Sequence, residues 1–186
     1  GSKHVYAYDL IITDSAGRVR RGRDAYSFLP TISEADLFLF NKGDERRIYE
    51  KLGAHLRTID GVAGVSFAVW APNARRVSVV GDFNLWDGRR HPMRSLGASG
   101  VWEIFIPDVG EGTHYKFELE NVHGHIVLKT DPFGQYFEIP PKNAAIVWNN
   151  RNYQTVRNGA HRYNKRMAET GKFPGLYLGD PDIDFV

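Results

Sequence analysis

Residues 65–87 read VSFAVWAPNARRVSVVGDFNLWD, and this stretch decides the fold class. Its first part predicts a strand over 65–70, because every second side chain there is large and apolar. The segment APN at 71–73 is a turn signal, and a second short apolar segment follows it at 76–80. Two short strands separated by a turn favour β-structure.

The chain around this stretch repeats the pattern of short apolar segments separated by turn residues. We predict four further strands, at residues 101–106, 114–119, 125–129 and 144–148. In the second of these, apolar and charged side chains alternate strictly, so Lys116 is predicted to lie on the outer surface of a sheet. The 19 Gly and 9 Pro residues fit many strands with short turns. The sequence therefore predicts an all-β fold, a β-sandwich.

The predicted sandwich occupies residues 61–149. Residues 1–60 are interpreted as an N-terminal extension with one short helix over 44–52, which begins at a capping aspartate and ends at a glycine. Residues 150–186 are polar and basic at first and then rich in Gly, Pro and Asp. This composition predicts an irregular, poorly packed C-terminal tail.

The composition excludes several classes of function. The chain has no Cys, which rules out disulfides, thiolate metal sites and a Cys nucleophile, and we expect a cytoplasmic protein. We expect no membrane segment, because no apolar run approaches the roughly 20 residues that span a bilayer, and we see no signal peptide. We also expect no cofactor and no metal. His123 and His125 could chelate weakly, although a solvated hairpin turn is the simpler interpretation.

The turn GDFNLWD, at residues 81–87, places two aromatic side chains among Asp and Asn. Trp86 could lie over the sheet surface that carries Lys116. An indole face packs well against the axial C–H groups of glucose, while Lys116 and Asn84 could hydrogen-bond its hydroxyls. The turn thus suggests a glucan site made of Trp86, Lys116 and Asn84. The alternative, that Trp86 only covers the open end of the sandwich, stays open.

Four motifs in fixed order resemble a known family: FAVWAPNA at 67–74, GDFNLWD at 81–87, YKFEL at 115–119 and KTDPF at 129–133. Together they resemble the N-terminal part of bacterial glycogen branching enzymes. Within that part they are similar to the family 48 carbohydrate-binding module (CBM48), an immunoglobulin-like β-sandwich. The similarity extends over about residues 29–148.

This resemblance implies a place in glycogen biosynthesis. Branching enzymes cleave α-1,4 linkages and transfer the released chain to make α-1,6 branches. Their module packs against a (β/α)8 catalytic barrel and in some members contacts α-glucan, through residues that match Trp86 and Lys116. Strong binders have a further Trp that has no counterpart at 125–128, which implies weak binding. The barrel and its catalytic carboxylates are absent. We therefore expect a fragment with no catalytic residues, inactive alone, that positions glucan and braces the barrel.

Two other interpretations stay open. A pure protein-interaction sandwich without sugar affinity would expose an apolar patch, which we predict from Phe133, Tyr136, Phe137 and Ile139. The basic segment 151–172, with interleaved tyrosines, could contact nucleic acid or an acidic surface. A solvated tail is the simpler interpretation of that segment, because the net charge of the whole chain is only +2.

Overall fold

The computed structural model describes residues 8–45 and 47–149 of the chain. The chain divides into two units, Gly1–Trp148 and Asn149–Val186, and the following concerns the first. The predicted tail over 150–186, including the basic segment 151–172, lies outside the described residues. The strands and the α-helix in chain order are β1 (Leu10–Thr13), β2 (Val19–Gly22), α1 (Glu34–Lys42), β3 (Gly53–Ile59), β4 (Val62–Trp70), β5 (Ala74–Gly81), β6 (Arg94–Ser95), β7 (Val101–Pro107), β8 (His114–Asn121), β9 (Ile126–Lys129) and β10 (Ala145–Ile146).

Two antiparallel four-stranded sheets form the body of the domain. One has the order β3-β4-β7-β6, and the other has the order β10-β8-β5 with β9 also paired to β8. Strands β1 and β2 form a separate hairpin. The predicted all-β sandwich with one short N-terminal helix is confirmed.

The core lies between the two sheets and is built from alternate residues of each strand. Phe67 of β4 and Phe117 of β8 are fully buried, and the ring of Phe67 meets that of Tyr115 edge to face with centroids 5.0 Å apart. The aliphatic members of this core include Val65, Val77, Val79, Ile104 and Ile106. Inward-facing aromatic and β-branched side chains of this kind supply most of the stabilisation of a sandwich.

The outer face of β4 is also buried, by the chain that precedes β3. Ala68 belongs to a second apolar cluster with Ile32, Leu52 and Val101, against which Leu37 of α1 packs. Helix α1 and the described residues on either side of it therefore form a third layer on the sheet that contains β4.

A buried carboxylate ties this third layer to the sheet. Glu103 of β7 is 1% exposed. Its Oε1 accepts a hydrogen bond from the backbone N–H of Thr31 at 2.7 Å and a longer one from Ser66 Oγ at 3.4 Å. Because buried acceptors are costly to leave unpaired, Thr31 is held against the sheet.

The position predicted for the helix is wrong. Among the described residues of 44–52 the helical segment is a single 3-10 turn, Ile48–Glu50, and the α-helix is α1, at Glu34–Lys42. The backbone N–H of Asp44 donates to the carbonyl of Leu39 at 3.0 Å. Asp44 is therefore used to close α1 and does not cap a following helix.

The signals that delimit α1 are local ones. Ser33 and Asp36 form a reciprocal capping box at its start, and Gly43 ends it with φ 76°. A left-handed residue at this position satisfies the last helical carbonyls, and glycine adopts it without steric cost.

The sheet also begins earlier than the sequence suggested. Strand β3 pairs with β4 from Gly53 to Ile59, in the register Gly53↔Ala68 to Ile59↔Val62. The sandwich thus includes residues that were assigned to an N-terminal extension ending at residue 60. The reason is a tight hairpin at Asp60-Gly61, where both residues have positive φ.

Strands β4 and β7 approach each other closely at Gly64, so a substitution there tests how these two strands pack. A Cβ atom at Gly64 would lie 2.3 Å from the carbonyl oxygen of Ile106, which is backbone and cannot move aside. We expect Gly64→Ala to lower the free energy of unfolding in urea by about 1–3 kcal/mol. Gly110→Ala is the matched control, because nothing lies within 4 Å of its Cβ position. Equal stability of the two variants would contradict this packing.

Candidate functional site

The turn that follows β5 holds an aromatic side chain partly in solvent. A 3-10 helix, Asp82–Asn84, is followed by two residues with left-handed backbone, Leu85 with φ 58° and Trp86 with φ 60°. The N–H of Trp86 donates to the carbonyl of Gly81 at 3.0 Å. Leu85 remains 76% exposed and Trp86 40% exposed. Two successive non-glycine residues in this conformation cost about 1–2 kcal/mol each, so surrounding contacts must hold the turn.

Asn84 provides those contacts from inside the turn. Its side chain is fully buried. Oδ1 accepts from the N–H of Gly81 at 3.0 Å, and Nδ2 donates to the carbonyl of Val79 at 2.9 Å and faces His91 Nδ1 at 3.0 Å. The prediction that Asn84 binds a sugar hydroxyl is therefore wrong. A buried amide with all its donors engaged shapes the turn and has none left for a ligand.

The second half of the turn lies over the outer face of the sheet. A Cβ atom at Gly88 would be 2.2 Å from the carboxylate of Glu118. Ser78 and Val80 have no exposed surface, although they alternate with the inward-facing residues of β5. The turn is thus attached to the sheet at its start, through β5, and the chain again meets the sheet just beyond its end, at Gly88.

Lys116 lies at the same end of this sheet as Trp86. It is paired with Val80 across β5 and β8, one position from the Gly81–Tyr115 pair at which the turn begins. Its Nζ donates to Oδ1 of Asn143, an exposed residue that precedes β10. The structure therefore brings Lys116 and Asn143 together near the turn that carries Trp86.

Sequence reasoning missed Asn143. Lys116 and Asn143 are 27 residues apart. Nothing in the surrounding PPKNAA segment marks a polar site. The only signal is topological, because the strand that follows Asn143 pairs with β8 through Ala145↔Tyr115.

A buried Tyr–Asp pair anchors the segment that leads to Asn143. The hydroxyl of Tyr115 donates to Oδ2 of Asp131 at 2.6 Å, and Oδ1 of Asp131 accepts from the N–H of Phe133 at 2.8 Å. Burial raises the pKa of the Asp131 carboxyl above its usual range, and burial together with that carboxyl raises the pKa of Tyr115. This anchor connects the core to the loop on which Asn143 lies.

The carboxylates of the turn are paired within it or with β8. Arg89 binds Asp87 through Nε and Nη2, both at 2.9 Å, and these hydrogen bonds lower the pKa of Asp87 to about 2. Asp82 Oδ2 accepts from the backbone N–H of His114 at 3.2 Å and lies 3.0 Å from its Nδ1. The acidic groups beside Trp86 therefore serve the turn itself, as Asp commonly does.

The described residues offer little for metal or membrane binding. Among residues 8–45 and 47–149, no three His, Asp or Glu side chains gather in a way that could hold a metal ion. His123 and His125 lie near the β8–β9 turn, with ring centroids 6.4 Å apart. None of the helices in this part of the chain has the length and apolar character of a transmembrane segment.

The comparisons with known proteins give the class of domain. Residues 51–134 match the family model of carbohydrate-binding module 48 (isoamylase N-terminal domain). This part of the chain is similar to that family, and the similarity agrees with the β-sandwich described above.

The longer matches are to branching enzymes. The chain is 52% identical over 147 residues to the 1,4-alpha-glucan branching enzyme GlgB of Methylococcus capsulatus, covering 78% of this chain and 20% of the enzyme. It is 60% identical over 131 residues to that of Trichormus variabilis, covering 70% of this chain and 17% of the enzyme. The chain thus spans about a fifth of the length of these relatives. The resemblance to branching enzymes is confirmed.

A similarity to solved pullulanases is weaker. A ligand-free pullulanase of Klebsiella pneumoniae overlaps 53% of this chain and 9% of its own, with 25% identity and a TM-score of 0.42. An overlap of this extent adds nothing to the assignment.

The turn can be tested through its buried amide. We expect Asn84→Ala to lower the free energy of unfolding by about 2 kcal/mol, because it leaves the N–H of Gly81 and the carbonyl of Val79 without partners. Asn143→Ala is the control. Asn143 is exposed, and we expect a change within about 0.5 kcal/mol. Chemical denaturation of both variants measures the difference, and a smaller loss in Asn84→Ala than in Asn143→Ala would contradict this role.

Proposed function

We propose that the chain is a non-catalytic α-glucan-binding module of a glycogen branching enzyme. In the full-length enzyme it would position glucan chains and pack against the catalytic barrel, which would perform the branching. The observation that carries the proposal is the half-exposed Trp86, held by a strained turn whose other polar groups are already paired. Strained backbone of this kind is concentrated at ligand-binding and active sites.

The proposed site has three parts. Trp86 would stack on the apolar face of a glucose ring. Lys116 and Asn143, which hydrogen-bond each other in the absence of ligand, would exchange that bond for bonds to sugar hydroxyls. Asn84 would act from within the turn, by holding Trp86 in place.

The affinity of this site would be low. Beyond the β8–β9 turn, where a second aromatic platform would be needed, β9 exposes Ile126, Val127 and Leu128. A single stacking face and two polar side chains bury little of a sugar chain. We therefore propose weak, reversible contact with glycogen, and we do not propose nucleic acid as a partner.

Calorimetric titration with maltoheptaose tests the site. We expect saturable binding by the native chain and at least about tenfold weaker binding by Trp86→Ala, because the stacking face is lost. Lys116→Ala and Asn143→Ala should each bind about fivefold more weakly, since each loses one polar contact.

Trp148→Ala is the matched control. Trp148 is also partly exposed, at 38%, but it lies against Tyr136 with ring centroids 4.8 Å apart. It should bind maltoheptaose as the native chain does. Undiminished binding by Trp86→Ala, or an equal loss in Trp148→Ala, would contradict the proposed site.

A second function, as an interaction surface, has its own supporting observation. Of the four residues predicted for an apolar patch, Tyr136, Phe137 and Ile139 are exposed, at 49%, 43% and 86%. Phe133 is not part of it, because it is partly buried against the second apolar cluster. Exposed apolar side chains at neighbouring positions in the sequence are typical of a surface that a partner protein covers. The catalytic barrel would be that protein, and this role is compatible with glucan binding.

The isolated chain should reveal this surface by self-association. We expect Ile139→Asp to reduce association at high concentration, as measured by sedimentation velocity, because it removes the most exposed apolar side chain of the patch. Val122→Asp is the control, since Val122 is 69% exposed and lies in the β8–β9 turn. If both variants associate to the same extent as the native chain, the patch is not an interaction surface.

A further inference from the structure

His91 is a titratable group for which neither proposed function gives a role. It follows the Trp86 turn, and its backbone carbonyl accepts from the N–H of Val79 at 3.2 Å. Its ring is half-buried and meets the ring of Phe83 edge to face, with centroids 5.5 Å apart. Its Nδ1 lies 3.0 Å from Nδ2 of Asn84, the amide that holds the turn.

The partners of Asn84 determine which form of His91 fits this contact. The Gly81 N–H can pair only with an oxygen, and the Val79 carbonyl can pair only with an N–H. These two bonds fix the orientation of the amide, so a nitrogen of Asn84 faces His91 and donates its second hydrogen. His91 Nδ1 must accept that hydrogen and therefore carries no proton. An imidazolium ring, which is protonated on both nitrogens, would place two N–H groups against each other.

We propose that neutral His91 is a positioning residue that holds the Trp86 turn in its sugar-presenting form, and that protonation of His91 loosens the turn and weakens glucan binding. The part concerning glucan rests on the proposed function. The part concerning the turn follows from the hydrogen bonds of Asn84 alone.

The surroundings of His91 favour the neutral ring. Burial, and after it the neighbouring charge of Arg90, lower the pKa of His91 below its usual 6.5. Asp87, the nearest carboxylate along the chain, is bound by Arg89 and Arg90. None of the ion pairs among the described residues offers His91 a carboxylate, and the packed side chains of Phe83 and Asn84 carry no charge.

The sign of the pH effect follows from this lowered pKa. The unfolded chain takes up the proton near pH 6.5, whereas the folded chain takes it up only at lower pH. The contribution of His91 is therefore fully present above pH 6.5 and is lost as the pH falls below it. A second histidine, His114, lies at the other end of the turn, with its Nδ1 3.0 Å from Oδ2 of Asp82.

The test uses two variants of His91 and one control. In His91→Asn the side-chain oxygen can accept from Asn84 at the position of Nδ1, and it does not titrate. His91→Leu removes the acceptor. His125→Asn is the control, because His125 is exposed in the β8–β9 turn and distant in sequence from the Trp86 turn. The indole N–H resonance of Trp86, assigned with Trp86→Phe, reports on the turn without ligand, and maltoheptaose titration at pH 5.0 and 7.5 reports on binding.

We expect the Trp86 resonance of the native chain and of His125→Asn to titrate with a midpoint below 6.5, and that of His91→Asn to remain constant. Native affinity for maltoheptaose should be about fivefold lower at pH 5.0, nearly independent of pH in His91→Asn, and reduced at both pH values in His91→Leu. A Trp86 resonance that titrates equally in His91→Asn overturns the inference. If no protein binds maltoheptaose at either pH, the proposed glucan function fails, and the resonance alone decides the role of His91.

Discussion

The side chains of Phe67, Tyr115 and Phe117 point into the space between the two sheets. This inward orientation determines which residues lie on the outer surface of the domain. A strand alternates its side chains between two faces. Once Tyr115 and Phe117 are buried, Lys116 must lie on the outer face, at the height where β5 ends and the turn begins. The hydroxyl of Tyr115 then reaches Asp131 and anchors the loop that brings Asn143 to Lys116. The packing of these aromatic side chains in the core thus determines where the polar groups of the candidate site lie.

The sequence was most informative where structure depends on close neighbours along the chain. Alternation predicted the strands that became β4 and β8, and the turn after β5 was identified from its composition. The helix was placed wrongly because Asp44 resembles an N-cap, whereas its N–H is used to close α1. The capping box at Ser33 and Asp36 was readable in the sequence and was overlooked. These errors concern which of two local signals prevails, and that depends on the residues packed around them.

The candidate site also shows a limit of prediction from sequence, because part of it depends on contacts between distant residues. Trp86 and Lys116 could be proposed from composition and alternation, because exposure follows from strand phase and from the size of the indole. The burial of Asn84 could not be foreseen, because an Asn in a turn can hydrogen-bond the turn backbone or face solvent, and composition does not distinguish the two. Asn143 joins the site only through the pairing of β10 with β8, a contact between distant parts of the chain. Trp86 and the residues that hold it form one unit, which a list of exposed polar residues would not reveal.

The third layer described above has a consequence for how the domain is delimited. Similarity to the family model ends at residues 51 and 134. Yet Ile32 and Thr31 close one face of β4 from before that range, and Val147, which has no exposed surface, completes the core from beyond it. A polypeptide cut at the limits of the family model would leave Glu103 facing water where Thr31 had been and would open the core at Val147. The limits of the family model and the limits of the packed domain are therefore different in this molecule, and the second encloses the first.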